Sequence, residues 1–288
     1  MPSGNPDPRP APGLSLPRSG QAPREAFLVL PGLNLHPHRL DPLSELLTTA
    51  GAAAVTPRLT GFAVPGDPAL GRVRAARWLA DVDAAWSAAQ ARLPGVAPSL
   101  LGYSLGALLG LVWAAERGVT LQRAILLAPA LRLRAMHRLA IALLGLALPG
   151  RLRLPSRAPA SYRFHPGTTV AAYRAVTALE RRLRPRLQGW LRGEAQGLPP
   201  LLVACSPRDE MVDTRVLGAL AHHHPSRVTL VPLSHEPRPG FPAHLGLDGY
   251  TLGESEWQRL RHAIEDWLRR DGEAAPDDTP EVAPETAP

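Results

Sequence analysis

The chain has 288 residues, enough for one α/β domain with an ample core, so a second domain is not required. Its formal charge is +7, but all 32 basic residues are arginine in a chain rich in Ala, Leu and Pro, so the charge reads as compositional bias and no nucleic-acid partner is expected. A single cysteine, Cys205, excludes an intrachain disulfide.

In chain order, residues 1–24 are rich in Pro, Gly and Ser without apolar periodicity, and a disordered tail is expected there. They contain no apolar stretch behind a basic start, so no signal peptide is expected. Ala26–Leu30 is an apolar strand ending at Pro31-Gly32, followed by a helix over about Pro42–Ala50 that stops at Gly51. Ala53–Pro57 reads as the next strand. A long helix covers about Val73–Arg92, with Trp78, Val82, Ala85, Trp86 and Ala89 at three-to-four spacing. Pro98–Leu101 is a short buried strand, Ala107–Arg117 a run of helix formers closed by Gly118, and Arg123–Ala128 another strand. The rhythm breaks over residues 131–197, which are rich in Leu, Ala and Arg and interrupted by prolines. It returns with strands at Leu201–Cys205 and Val228–Leu233 and a final helix over about Glu254–Arg269. Residues 271–288 are acidic and rich in Pro and Ala, a second expected disordered tail. The longest apolar run, Leu139–Leu148, has ten residues. A membrane span needs roughly 20, so a soluble, cytoplasmic protein without stable membrane insertion is expected. Alternation of strands and helices argues for a mainly parallel sheet covered by helices.

Between the strand at 98–101 and its helix stands Gly102-Tyr103-Ser104-Leu105-Gly106, which fits G-x-S-x-G. That turn lifts a serine above the sheet, and its glycines remove Cβ atoms that would clash. Ser104 is therefore the candidate nucleophile. A serine needs a base, and the base needs an orienting carboxylate, supplied along the chain in the order Ser, acid, His. Asp209 follows the strand 201–205 directly and is the candidate acid, while Asp213 reads as a helix cap and Glu210 as pointing elsewhere. Two histidines compete for the base. His235 lies just past the strand 228–233 and is favoured, and His244 lies nine residues later beyond a Pro-rich stretch. The developing oxyanion would be met by the backbone N–H groups of Leu105 and Leu33, with Asn34 reading equally as a turn residue. His36 and His38 lie just past the first strand, where a surface loop is the simpler reading. His222–His224 point in different directions at a helix end, and no metal or cofactor is expected.

The stretches Phe27–Leu33, Gly102–Gly106, Arg77–Val82 and Ser206–Val212, with a histidine after Leu233, resemble the α/β-hydrolase superfamily, and within it small bacterial carboxylesterases and monoacylglycerol lipases. The resemblance spans about Ala26–Arg270. It implies an α/β-hydrolase domain over 25–270, a small helical cap at 131–197, a triad of Ser104, a histidine and Asp209, and an oxyanion hole at Leu33 and Leu105. Pro31-Gly32 departs from the family's usual His-Gly. The activity implied is hydrolysis of an ester with an apolar acyl group. Thioester hydrolysis or acyl transfer uses the same triad, and a non-catalytic binding protein on the same fold is a further alternative. A serine rather than an aspartate at the turn argues against dehalogenase and epoxide-hydrolase chemistry.

Overall fold

The computed structural model describes residues 13–270 apart from 157, 235–237 and 239. The elements in order are β1 (Gly13–Ser15), β2 (Glu25–Leu30), α1 (Asp41–Thr49), β3 (Ala53–Thr56), α2 (Ala75–Arg92), β4 (Ala97–Tyr103), α3 (Leu105–Arg117) and β5 (Ala124–Leu127). They continue with α4 (Ala135–Ala147), β6 (Arg153–Pro155), β7 (Gly167–Thr169), α5 (Val170–Trp190), β8 (Leu201–Cys205), α6 (Arg215–His223), β9 (Val228–Pro232), α7 (Gly249–Leu252) and α8 (Glu254–Arg270). One seven-stranded sheet runs in the order β1-β3-β2-β4-β5-β8-β9. All its pairings are parallel except β1 with β3.

This is the α/β-hydrolase fold. Strands β2, β5 and β8 are buried on both faces, which is why they read as continuous apolar runs rather than alternating ones. Two apolar layers flank the sheet. Side chains of α2, α3, α5 and α6 fill one, and those of α1 and α8 fill the other. Helix α3 ends where Gly118, at φ 63°, returns its N–H to the Ala114 carbonyl.

Two elements depart from the sequence reading. Residues 13–15, placed in the expected tail, form β1, a short edge strand on Ala54–Thr56. Three residues carry no periodicity to read. Residues 1–12 and the expected tail at 271–288 lie outside the described residues. In the stretch 131–197, α4 buries none of its residues, whereas α5 places Ala172, Val176, Leu179 and Leu183 in the core. Between them β6 and β7 form a separate antiparallel pair.

At the N-terminal ends of the strands, Glu25 accepts from Ser99 Oγ at 2.6 Å and pairs with the Arg123 guanidinium. This buried pair lies at the end of the sheet opposite Ser104. Among the described residues no helix is long and apolar enough to cross a membrane.

Candidate active site

Ser104 sits between β4 and α3 at φ 50°, ψ −110°, a conformation that L residues rarely adopt. The local sequence makes this turn possible. A Cβ on Gly106 would lie 2.0 Å from the Leu30 carbonyl oxygen, and one on Gly102 would lie 2.4 Å from Ala107 Cα. The turn is also pinned from β5. Ser104 N–H donates to Leu127 C=O at 2.9 Å, and Ala130 N–H donates to Ser104 C=O at 3.2 Å.

Asp209 lies in the turn after β8 and is fully buried. Its Oδ1 accepts from the N–H groups of Met211 (2.8 Å) and Val212 (3.0 Å), which aims Oδ2 at an imidazole. Burial opposes ionisation of this carboxyl, but the hydrogen bond and charge of His244 and the two backbone donors outweigh it and hold it below the usual carboxylate range. A carboxylate only accepts, so the partner nitrogen carries the proton.

That partner is His244. Its Nδ1 lies 2.7 Å from Asp209 Oδ2, and its Nε2 lies 2.8 Å from Ser104 Oγ. With the proton on Nδ1, Nε2 is left to accept from the serine hydroxyl. The place expected for His235 is thus filled by His244, and His235 itself lies outside the described residues. Strand order explains the difference. Ser104 follows β4 and the strand end at 233 follows β9, with β5 and β8 between them. Three strand spacings are about 14 Å, so the chain leaving β9 must fold back across β8 and β5 to bring an imidazole to Ser104. Ser234 is moreover turned toward α8, its N–H donating to Glu256 at 2.6 Å. The Pro-rich stretch supplies the length for the chain to return.

Side chains that sequence reasoning did not assign to the site hold the returning loop. Tyr103 Oη donates to the His244 carbonyl at 2.9 Å, and the Glu210 carboxylate accepts from the His244 N–H at 3.3 Å. Glu210 therefore faces the site, contrary to the sequence reading. Further on, Tyr162 Oη donates to Asp248 at 2.7 Å, and Asp248 caps α7. None of these has a sequence signature beyond its neighbours.

On the other flank, a Cβ on Gly32 would stand 2.5 Å from the Tyr103 ring and 3.4 Å from Ser104 Cβ, so the loop after β2 packs on the nucleophile's turn. Leu33 lies on that loop, and Leu105 opens α3. Asn34, at φ 62°, spends its amide on His165, accepting from its N–H (2.7 Å) and donating to its carbonyl (3.1 Å). The turn role is the one it fills. His165 in turn accepts from Gly66 N–H and contacts the Gly61 carbonyl, pinning a second loop. Burial lowers its basicity. The His36 and His38 rings meet at a tilt, 3.8 Å between centroids, and His36 lies edge-on to Phe164. Cys205 is a buried thiol that burial pushes up to about 12. Among the described residues no cluster of three or more His, Cys, Asp or Glu is arranged to hold a metal.

Above Ser104 opens a cavity of ≈430 Å³. Leu33, Leu154, Val170, Met211 and Leu245 line it, and Ile141 and Leu144 of α4 form part of its wall. Among its mostly apolar lining, the polar side chains are Asn34, Ser104, His137, Glu210, His244 and a few hydroxyls.

The family described as serine aminopeptidase, S33, matches residues 21–229. No curated protein sequence matches. Solved structures share the fold. One is from the metagenome-derived lipolytic enzymes LipS and LipT, with 20% identity, TM-score 0.69, and 90% of this chain and 97% of that chain covered. Another is a soluble variant of the monoglyceride lipase of Saccharomyces cerevisiae bound to a substrate analogue, with 15% identity, TM-score 0.63, and coverage of 89% and 90%. A third is the monoacylglycerol lipase of Paleococcus ferrophilus, with 18% identity, TM-score 0.62, and coverage of 89% and 98%.

Proposed function

The chain belongs to the serine aminopeptidase S33 family, and on that premise we propose that it is a serine hydrolase cleaving carboxylic esters with an apolar acyl group. The observation that carries the reading is the unbroken chain Ser104 Oγ, His244, Asp209 Oδ2, with links of 2.8 and 2.7 Å, at the floor of an apolar cavity.

In this reading Ser104 Oγ attacks the ester carbonyl carbon as His244 Nε2 takes its proton. Negative charge moves to the carbonyl oxygen, and the donors assigned to it are the N–H groups of Leu33 and Leu105. The tetrahedral intermediate collapses as His244 returns the proton to the departing alcohol, leaving an acyl group on Ser104. Water then adds with His244 again as base, and the acid departs with Ser104 restored. Asp209 stays ionised, fixes the imidazole tautomer and offsets the charge of the imidazolium. Of residues 131–197, the stretch before α5 serves as the cap, with α4 closing the cavity over the acyl chain, while α5 packs in the core.

A second reading follows from Glu210, a carboxylate on the cavity wall. A carboxylate there suits the free amine of a peptide substrate. Its bond to the His244 N–H and the apolar lining favour the ester. A fluorophosphonate probe tests both readings, because it labels an activated serine. Labelling of the wild type and none of Ser104→Ala is the expected result, and equal labelling of both overturns the assignment. Comparing kcat/KM on p-nitrophenyl acyl esters and aminoacyl p-nitroanilides then separates ester from peptide.

A further inference from the structure

A second concavity lies in the groove between α4 and α5. Its volume is ≈690 Å³, within the size range of small-molecule sites. Ile141 lines both this groove and the catalytic cavity, so α4 is the wall between them.

The groove combines two chemistries. Ile141 of α4 and Leu187 and Leu191 at the end of α5 give it an apolar floor, and the exposed Ala142 and Leu146 of α4 form its rim. Arg132, Arg138, Arg174, Arg181 and Arg184 surround that floor, with Glu180 as the carboxylate among the lining residues. Three of the arginines have structural work. Arg138 lies 3.6 Å from Glu180, and Arg132 lies 3.9 Å from Asp213. Arg174 donates to the carbonyls of Gly145 and Leu148 and so ties down the C-terminal end of α4. Arg181 and Arg184 make no ion pair among the described residues, and both are exposed. They stand three residues apart on one side of α5, where like charges repel. A concave site lined by one sign of charge between low-dielectric walls attracts the opposite ion. Guanidinium pairs of this kind match the oxygens of a carboxylate or phosphate.

We infer that this groove binds an anionic single-chain amphiphile, a carboxylate or phosphate head on an apolar tail. The head sits at Arg181 and Arg184, with Arg132 and Arg138 nearby, and the tail lies along Ile141, Leu146, Leu187 and Leu191. The groove's volume fits one such molecule. The site uses none of Ser104, Asp209 or His244, so it stands or falls separately from the hydrolase reading.

The test is calorimetric titration with octyl phosphate at concentrations where it is monomeric, with octanol as its neutral counterpart. The proteins are Ser104→Ala and the same chain carrying Arg181→Glu and Arg184→Glu. Both arginines are exposed, and thermal melting checks the fold. If the double glutamate variant does not fold, Arg181→Ala with Arg184→Ala takes its place. Octyl phosphate is expected to bind at least tenfold more weakly to the arginine variant, with octanol unchanged, because the neutral head makes no contact with Arg181 or Arg184. Equal affinity of the two proteins for octyl phosphate overturns the inference. So does octyl phosphate binding no tighter than octanol, or association with phosphatidylglycerol vesicles but not with the monomeric amphiphile.

Discussion

At the scale of single residues, the site turns on which imidazole stands beside Ser104. His244→Ala should behave like Ser104→Ala, each losing on the order of 10⁴–10⁶ in kcat while retaining the fold. His235→Ala should stay within a few-fold of wild type. Steady-state rates on an activated ester check this, and a near-normal His244→Ala would remove it from the triad. The positions of Ser104 and Asp209 were legible because each lies within four residues of the end of its strand, so local sequence places them. The histidine was not, because its place depends on β5 and β8 lying between β4 and β9. Tyr103 and Glu210 were silent for the same reason, since each acts through a loop that returns from more than thirty residues away. Asp209 also carries a pH signature. Its carboxyl is held below the usual range, so its contribution to stability is complete above the unfolded value of about 3.9 and fades as pH falls through the lower folded value. The stability gap between wild type and Asp209→Asn should therefore be widest at neutral pH and narrow below about pH 4. Urea midpoints at pH 7 and pH 3 measure it, and a gap that grows toward acid contradicts the ionised assignment.

Among the elements, the parallel strands and their long helices were readable because each is long enough to show its period or its unbroken apolar run. The three-residue strands β1, β6 and β7 were not, since so few residues carry no pattern and their pairing is decided by distant partners. What the elements do for the site is to hold its loops in register. Tyr103, the last residue of β4, reaches the His244 carbonyl and is a positioning residue in the proposed mechanism. Removing its hydroxyl loses one buried hydrogen bond, about 1 kcal/mol. Tyr103→Phe should lower kcat roughly five- to tenfold with little change in KM, because the bond orients the base rather than the substrate. A change confined to KM would place Tyr103 in substrate binding instead. At the other end of the same strands, Glu25→Ala should cost about 3–5 kcal/mol, since it removes a carboxylate that pairs with the largely buried Arg123 and accepts from Ser99. Denaturant unfolding gives the figure, and a loss below 1 kcal/mol would show that water replaces the carboxylate easily.

For the whole molecule, the sheet carries the reacting groups at the carboxyl ends of β4 and β8, while α4 lies over them without burying any of its own residues in the core. One face of α4 meets the cavity through Ile141 and Leu144, and the other leaves Met136, Leu139, Leu143 and Leu146 exposed. A helix so lightly anchored can change without unfolding the domain, so pocket length is separable from chemistry. The cavity of ≈430 Å³ bounds the acyl chain that fits beneath it. Leu144→Trp adds an indole to the wall and shortens the space without touching Ser104, His244 or Asp209. Contacts remote from the carbonyl act through binding and positioning, so esters long enough to reach position 144 should lose kcat/KM by tenfold or more. An acetyl ester should be hydrolysed within about twofold of the wild-type rate, because its acyl group ends near Ser104. The measurement is kcat/KM across p-nitrophenyl esters from acetyl to dodecanoyl. A uniform fall at every length would mean that α4 governs access or stability rather than chain length. An unchanged profile would mean that the acyl chain takes another route out of the site.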